Sequence, residues 1–340
     1  MSRATTLPRG TGSNDPLDRT ERRRRPGSDQ HVDVRQELLP PLRWLLQPNA
    51  DRFAHPAEVE LARLLSFYGL RWAYEPTTFA VRWGSDGRPQ EFVTPDFYLP
   101  DHDLYLELTT MRQRLVTRKN RKFRLLRAAY PNVRVRLLYL RDFQRLQNVY
   151  QSLGPDQKAR IGEILYDAQV VEGRIGELAH QLVDVWSSRA TSEGGQRPLL
   201  VGVGSGAERF LESLGENIRR LGVGVDLDRA ELTTITREAG PGRVRVSKPP
   251  AASLAGRSVT VVQEVLSTGL STTFLSGWLR RRGASSVEAC VLVDREAARV
   301  VDVPIICRGF SAPDVALAGF GLSRRREYRD LPFIAEIEMD

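Results

Sequence analysis

The chain has 340 residues, 41% of them hydrophobic, which is enough for two packed domains. Its sequence contains no apolar run of the roughly 20 residues that a bilayer-spanning helix needs, and its first residues lack the apolar core of a signal peptide. Two cysteines are too few for a disulfide framework or a zinc site. These features predict a soluble, cytoplasmic protein that does not bind membranes.

Charge and composition divide the chain into four segments. The formal net charge is +8, which favours an anionic partner. Residues 1–50, which include the run ERRRRPG, are predicted to form a disordered basic arm and lead-in. A first domain is expected over 51–146, a linker over 147–160 and a second domain over 161–340, each domain of mixed α/β class.

The first domain reads as a helix followed by short strands and a second helix. Apolar residues at helical spacing predict a helix over 52–70 that ends at Gly69. Alternating and apolar patterns then predict strands at 72–75, 79–83, 91–98, 104–109 and 133–139, with a basic helix over 119–129.

Two carboxylates in this domain are expected to meet at one edge of a sheet. Asp96 follows Pro95, and Glu107 lies eleven residues later on a predicted strand. Glu107 and Thr109 share a face of that strand, and a hairpin would bring Asp96 beside them. Two converging carboxylates suit a hard divalent ion such as Mg²⁺.

The order of helix, β-meander, helix and strand, together with Asp96 and Glu107, resembles the PD-(D/E)XK nuclease superfamily. The resemblance implies a restriction-endonuclease-like core and a Mg²⁺ site, with Glu58 as the acid often found on the first helix of such domains. Thr109 stands where the family usually has lysine, and Lys119 or Lys122 on the next helix would take that role. The motif is short, so an inert fold or a decayed site is the alternative.

A strongly basic stretch follows these carboxylates. Between Arg112 and Arg145 there are twelve arginine and lysine residues and a single acid, Asp142. A solvated helix face is the structural interpretation of such charge, but solvated faces usually mix both signs. The stretch therefore predicts a surface for the phosphate backbone of a nucleic acid.

The second domain contains two strand-to-helix loops of phosphate-binding character. An apolar strand ending at Val203 leads into Gly204, Ser205 and Gly206, and a β-branched strand from Val259 leads into Ser267, Thr268 and Gly269. Hydroxyl side chains from Ser271 onward are predicted to cap the helix after the second loop. Backbone N–H groups and a helix N-terminus then point at one spot, as a phosphate requires.

These loops and the flanking segments resemble hypoxanthine-guanine phosphoribosyltransferases over residues 163–338, including a well-matched final block at 315–323 and 327–332. The resemblance implies a type I phosphoribosyltransferase fold with a Rossmann-like parallel sheet and bound Mg²⁺. It implies that Glu264 holds the magnesium and ribose, that Phe320 lies near the base-stacking aromatic, and that Arg329 contacts pyrophosphate. The implied ligand-binding loops are Gly204, Ser205 and Gly206, and Ser267, Thr268, Gly269, Leu270 and Ser271.

Four positions depart from that family's pattern: Ser205, Gln263, Ser267 and Ser323 replace residues that contact the reacting ligand. We therefore predict a domain that binds purine nucleotide or phosphoribosyl pyrophosphate with weakened transfer, and that regulates a Mg²⁺-dependent nucleic-acid-cleaving or nucleic-acid-binding first domain. One alternative is an active purine-salvage enzyme with an accessory nucleic-acid-binding domain. The other is a nucleotide-sensing adaptor without activity. A homodimer is expected by analogy only.

Overall fold

The computed structural model describes residues 53–109, 113–139, 159–189, 196–235, 242–312, 315–322 and 328–339. The predicted basic arm and nearly all of the predicted linker lie outside the described residues, as does Ser323. Within the described parts, no helix is long and apolar enough to cross a membrane.

The N-terminal module, residues 53–139, has a four-stranded sheet and a separate hairpin. The elements are α1 Pro56–Phe67, β1 Ala73–Tyr74, β2 Phe79–Trp83, β3 Pro89–Val93, β4 Phe97–Leu99, β5 Leu104–Thr109, α2 Gln113–Ala129 and β6 Val135–Tyr139. The sheet has the order β1-β4-β5-β6, in which β5 and β6 are parallel and the other pairs are antiparallel. Strands β2 and β3 form the hairpin, against which helix α2 packs.

Local sequence explains the limits of these elements. Pro56 occupies the first turn of α1, and His55 and Glu58 form a reciprocal capping box at its start. The strand predicted over 91–98 is divided in the structure, because β3 ends at Val93 and β4 begins at Phe97. Pro95 lies in the break, where it has no N–H for a ladder and restricts the residue before it.

The C-terminal part is built on a six-stranded sheet and a smaller second sheet. The elements are β7 Ala159–Tyr166, α3 Ala168–Arg189, β8 Leu199–Val203, α4 Glu208–Arg220, β9 Asp226–Ile235, β10 Arg243–Lys248, β11 Ser258–Leu266, α5 Leu270–Arg280, β12 Ser286–Asp294, β13 Ile305–Ser311, β14 Leu317–Ala318 and β15 Ile334–Met339. The six-stranded sheet has the order β10-β9-β8-β11-β12-β13 and is parallel except for the antiparallel edge strand β10. The second sheet has the order β14-β15-β7. The predicted parallel sheet is confirmed, and its central strands are apolar because both faces are covered.

The two parts share a hydrophobic core. Buried side chains of the N-terminal sheet and of α1 pack together with three residues of the C-terminal part, Leu270, Val300 and Val301. All three are at most 1% exposed. Arg136 on β6 and Arg134, which directly precedes that strand, also form ion pairs with Asp302. The N-terminal module is therefore packed directly against the start of α5 and the segment after β12.

Candidate functional site

The two predicted phosphate-binding loops lie at the same edge of the parallel sheet. Gly204–Gly206 follows β8, Ser267–Gly269 follows β11, and these two strands are hydrogen-bonded neighbours. Because parallel strands end on the same side of a sheet, this edge is where ligands of open α/β sheets bind. The structure thus brings together the two loops that sequence analysis singled out.

The loop after β11 is tightly held against the segment after β12. Gly269 is the N-cap of α5 with a φ of 81°, and a Cβ at this position would lie 2.4 Å from the backbone oxygen of Val301. The backbone oxygen of Thr268 accepts hydrogen bonds from the N–H groups of Val300 and Val301, at 2.9 and 3.1 Å. Ser267, Thr268 and Ser271 remain half-buried, so their side chains reach the surface at this edge.

Two expectations for this loop need correction. Leu270 does not offer a side chain to a ligand, because that side chain is fully buried in the core shared with the N-terminal module. The predicted hydroxyl cap of α5 is also wrong, since its N-cap is Gly269 and makes no side-chain cap hydrogen bond. Thr272 instead donates its hydroxyl to the Gln263 side-chain oxygen at 2.6 Å inside the core.

Glu264, near the end of β11, faces the loop after β8. A Cβ at Gly206 would lie 2.2 Å from the Glu264 carboxylate oxygen Oε1, so a larger residue there would displace this carboxylate. Burial raises the pKa of Glu264 to about 7, while the positive charge of Arg329 acts in the opposite direction. A cation or the hydroxyl groups of a ligand would stabilise the ionised form of such a buried carboxyl group.

Arg329 and Ser205 meet on the other side of the same loop. The Arg329 guanidinium donates to the Ser205 hydroxyl at 2.8 Å. Ser205 is exposed and Arg329 is half-buried. The predicted pyrophosphate-contacting arginine therefore lies beside the predicted pyrophosphate loop.

Phe320 is not available for stacking on a base, which corrects the prediction. Its ring is fully buried, and the guanidinium of Arg209 lies 4.6 Å from the ring centroid. Arg209 also donates to the backbone oxygen of Asp330 at 2.8 Å. Sequence analysis missed Arg209, which holds the segment carrying Arg329 in place and which no local pattern distinguishes from a surface arginine.

A second feature missed by sequence analysis is the buried ion pair at the end of β12. Asp294 is 1% exposed and pairs with Arg299 and Arg308. Burial lowers the pKa of Arg299, and the negative charge of Asp294 opposes that effect. The ion pair between Asp294 and Arg299 holds the start of the segment whose residues Val300 and Val301 are hydrogen-bonded to Thr268.

Gly321 makes a close backbone contact with the loop after β8, and this contact supports a stability prediction. Its φ is 87°, and a Cβ there would lie 1.9 Å from the backbone oxygen of Gly206. We expect Gly321→Ala to lower the free energy of unfolding by about 2–4 kcal/mol, because the methyl group would meet backbone that cannot move aside. Urea denaturation would measure the change.

Gly87→Ala is the matched control for Gly321→Ala. Gly87 also has a positive φ, 72°, but a Cβ there would have no neighbour within 4 Å. Only the backbone strain of about 1–2 kcal/mol is then expected. Equal destabilisation by the two substitutions would contradict the close contact between Gly321 and Gly206.

In the N-terminal module, Asp96, Glu107 and Lys119 form one buried cluster. The Asp96 N–H donates to Glu107 Oε2 at 3.1 Å, and the Leu108 N–H donates to Asp96 Oδ2 at 2.6 Å. Lys119 on α2 forms an ion pair with Glu107 and donates to the backbone oxygen of Leu108 at 2.9 Å. Asp96 and Glu107 are 8% and 3% exposed.

The other predicted residues of this site take different positions. Lys122 donates to the backbone oxygen of Phe92 at 3.2 Å, so Lys119 is the lysine that reaches Glu107. Thr109 is buried, and within the described residues its hydroxyl has no hydrogen-bond partner. Glu58 Oε2 accepts from the Ala54 N–H at 3.0 Å and from the Tyr74 hydroxyl at 2.7 Å.

These contacts decide which carboxylates could hold a metal. Across the described parts of the chain, no group of three or more histidine, cysteine, aspartate or glutamate side chains could hold a metal ion. Glu58 therefore does not complete a three-carboxylate site with Asp96 and Glu107, because it caps α1 instead. Asp96 and Glu107 could still hold Mg²⁺, because this ion commonly binds to two carboxylates with water and substrate phosphates as its further ligands.

Burial raises the pKa of Asp96 to about 6 and that of Glu107 to about 8. For Glu107 the negative charge of Asp96 adds to this effect, and Lys119 opposes it. Because each folded-state pKa is raised, the stability associated with the neutral carboxyl groups is present below about pH 4 and is lost as pH rises through 6 and 8.

We therefore expect the free energy of unfolding to fall by a few kcal/mol between about pH 5 and pH 9. Denaturant titrations at several pH values would measure this. Glu264 contributes in the same direction, so the wild type should be compared with Glu107→Gln, in which the pH dependence is expected to be weaker. Equal pH dependence of the two proteins would contradict the raised pKa of Glu107.

The predicted basic surface is smaller than the sequence suggested. Arg134 and Arg136 pair with Asp302 of the C-terminal part, and Arg121 pairs with Glu91. These arginines are already engaged by acids that lie far away in the sequence, so their charge is not unopposed. Arg112, Arg141 and Arg145 lie outside the described residues.

The C-terminal part of the chain is similar to known proteins. The family model described as "Phosphoribosyl transferase domain" matches residues 163–325. The chain is 28% identical over 204 residues to the bifunctional protein TilS/HprT of Listeria monocytogenes, covering 58% of this chain and 30% of that protein. It is 25% identical over 182 residues to the hypoxanthine-guanine phosphoribosyltransferase of Bacillus subtilis, covering 53% of this chain and 96% of that enzyme.

Among solved structures, a hypoxanthine-guanine phosphoribosyltransferase of Bacillus anthracis has a TM-score of 0.46 and 24% identity, covering 53% of this chain and 100% of that one. This chain spans less than a third of the length of the TilS/HprT relative. Over these residues the C-terminal part is therefore similar to phosphoribosyltransferase domains, including those of hypoxanthine-guanine phosphoribosyltransferases.

Proposed function

We propose that the C-terminal domain binds phosphoribosyl pyrophosphate and transfers its phosphoribosyl group to a purine base such as hypoxanthine or guanine. The observation that carries this proposal is the position of Glu264. Its carboxylate lies between the two loops at the ligand-binding edge of the sheet, with Arg329 and Ser205 on one side. The names of the relatives support the choice of substrates.

In the proposed reaction, a ring nitrogen of the base forms a bond to C1 of the ribose while the C1–O bond to pyrophosphate breaks. The electron pair and the negative charge leave with pyrophosphate. Arg329 and the N–H groups of the loop after β8 would bind the leaving group, and Glu264 would hold the ribose hydroxyls. Ser267 is not a base, so the proton of the ring nitrogen is lost to solvent.

The residues of this site fit Mg²⁺. Glu264 is a single half-buried carboxylate whose raised pKa would fall again beside a cation, and Mg²⁺ commonly binds through one or two carboxylates and substrate phosphates. When bound, the ion would neutralise charge on the pyrophosphate. Transfer is expected to be slower than in the relatives, because Gln263 is bonded inside the core and Ser267 offers no carboxylate.

The experiment is an assay of nucleotide formation by the purified full chain with Mg²⁺ and phosphoribosyl pyrophosphate. Hypoxanthine, guanine, adenine and uracil are supplied separately, and the products are separated by chromatography. The proposal expects nucleotide with hypoxanthine or guanine and less with the other bases. Binding of phosphoribosyl pyrophosphate without nucleotide from any base would favour the nucleotide-sensing adaptor.

We further propose that the N-terminal module cleaves or binds nucleic acid with Mg²⁺ at Asp96 and Glu107. The buried cluster of these two carboxylates with Lys119 supports the proposal, as does the order of its helices and strands. Lys119 would position the attacking water in place of a lysine at Thr109. The nuclease interpretation rests on the residues of this module alone.

Two exposed aromatic side chains on the β2–β3 hairpin, against which α2 packs, favour nucleic acid as the ligand. Trp83 and Phe92 on the β2–β3 hairpin are 46% and 37% exposed, and Lys122 of α2 is bonded to the backbone of Phe92. Exposed aromatic rings beside basic residues can stack on unpaired bases. Cleavage assays with single-stranded and duplex DNA and RNA, with Mg²⁺ or with a chelator, test this function.

A further inference from the structure

The segment Arg299–Asp302 lies between the phosphate loop and the N-terminal module. On the loop side, the N–H groups of Val300 and Val301 donate to the backbone oxygen of Thr268. Gly269 approaches the Val301 oxygen so closely that only glycine fits. The conformation of the loop therefore depends on the position of this short segment.

On its other side, the same segment is part of the N-terminal module. Val300 and Val301 are buried among Leu61 and Leu65 of α1 and the apolar side chains of β4 and β5. Leu270, the first residue after the loop, is buried in the same core. Leu270, which follows the loop, and Val300 and Val301, which are hydrogen-bonded to it, thus share a core with the N-terminal module.

Asp302 extends this connection to the strand beside the carboxylate cluster. It pairs with Arg134, and its Oδ1 accepts from Arg136 at 2.7 Å. Arg136 lies on β6 and Arg134 directly precedes that strand. β6 is hydrogen-bonded to β5, and Glu107 of β5 is paired with Leu137 of β6. A continuous set of contacts therefore joins Thr268 to the strand that carries Glu107.

We propose that the N-terminal module is a structural part of the phosphoribosyl site. It holds the loop Ser267–Gly269 in its binding conformation through the positioning residues Leu270, Val301 and Asp302. Binding of phosphoribosyl pyrophosphate at the loop consequently stabilises β5 and β6, because an energetic coupling between two sites acts in both directions. This inference rests on the proposed phosphoribosyltransferase function.

The test uses the full chain and the ion pair between Asp302 and Arg136. Asp302→Asn and Arg136→Gln are each expected to raise the KM for phosphoribosyl pyrophosphate by up to about fivefold, the upper end for loss of a partly exposed ion pair, while kcat changes less than about twofold. The double variant should show no larger effect than Asp302→Asn alone, because Asp302→Asn already removes the ion pair with Arg136.

Asp226→Asn is the matched control. Asp226 forms an ion pair with Arg257 at 2.7 Å, and its side chain is 42% exposed, compared with 45% for Asp302. Asp226 is the first residue of β9, and Arg257, its ion-pair partner, donates to the backbone oxygen of Arg197, so these contacts lie within the C-terminal part. We expect Asp226→Asn to leave the KM unchanged.

Hydrogen exchange separates failure of this inference from failure of the proposed function. Added phosphoribosyl pyrophosphate should slow exchange at 266–271 and also at 135–139 in the wild type, and only at 266–271 in Asp302→Asn. Protection at 266–271 alone in the wild type would overturn the coupling but keep the proposed function. No protection in either segment would overturn both.

Discussion

Glu264→Gln should reduce kcat/KM for phosphoribosyl pyrophosphate by about a hundredfold. A hydrogen bond to an ionised group contributes roughly 1.5–3 kcal/mol, and glutamine keeps the shape of the side chain but loses the charge. The residue beside Glu264 on β11 is Gln263, which carries no charge, is buried and accepts a hydrogen bond from Thr272. The remaining carboxylate should therefore carry most of the ribose and Mg²⁺ binding, and steady-state kinetics would measure its loss.

Glu163→Gln is the control for this prediction. It is the same chemical change at an exposed position on β7, and it should leave the kinetics unchanged. A wild-type rate in Glu264→Gln would show that the reacting ligand lies elsewhere. The melting temperature of both variants should be recorded, because removal of a half-buried carboxylate with a raised pKa is expected to preserve or increase stability.

Lys119→Met should lower the rate of Mg²⁺-dependent nucleic-acid cleavage by about a hundredfold to ten-thousandfold, as expected for loss of a positioned acid–base group. Lys119 is the lysine that pairs with Glu107 and reaches the backbone of Leu108. Methionine keeps an unbranched side chain of similar length without the charge. The assay is cleavage of the best substrate found for the wild type.

Lys122→Met provides the comparison, since Lys122 is three residues away on the same helix and bonds to the backbone of Phe92. It should weaken nucleic-acid binding slightly, in a salt-dependent way, without stopping cleavage. Equal loss of cleavage in both variants would point to a general effect of charge on α2. Full cleavage activity of Lys119→Met would contradict the proposed role of Lys119 in a nuclease site.

The parallel sheet and its two loops could be predicted because their signals are local. Apolar β-branched runs favour buried parallel strands, and small residues at 204–206 and 267–269 favour tight turns before helices. The joining of Asp96 and Glu107 could also be predicted, since a hairpin and the two-residue period of a strand determine which side chains meet.

Other features depend on contacts that sequence spacing does not reveal. Leu270 and Phe320 occur within loop motifs, yet each is buried by elements distant in the sequence. Arg134 and Arg136 look like a free basic surface until the fold places Asp302 against them. Lys119 and Lys122 are equivalent by composition, and only the packing of α2 decides which one reaches Glu107.

Calorimetric titration of the full chain with phosphoribosyl pyrophosphate and Mg²⁺ tests the assigned site most directly, because it does not depend on turnover. We expect saturable binding of about one ligand per chain in the wild type, strongly weakened binding in Glu264→Gln, and unchanged binding in Glu163→Gln. No binding to the wild type, or equal binding to all three proteins, would contradict the placement of the phosphoribosyl site between the loops after β8 and β11.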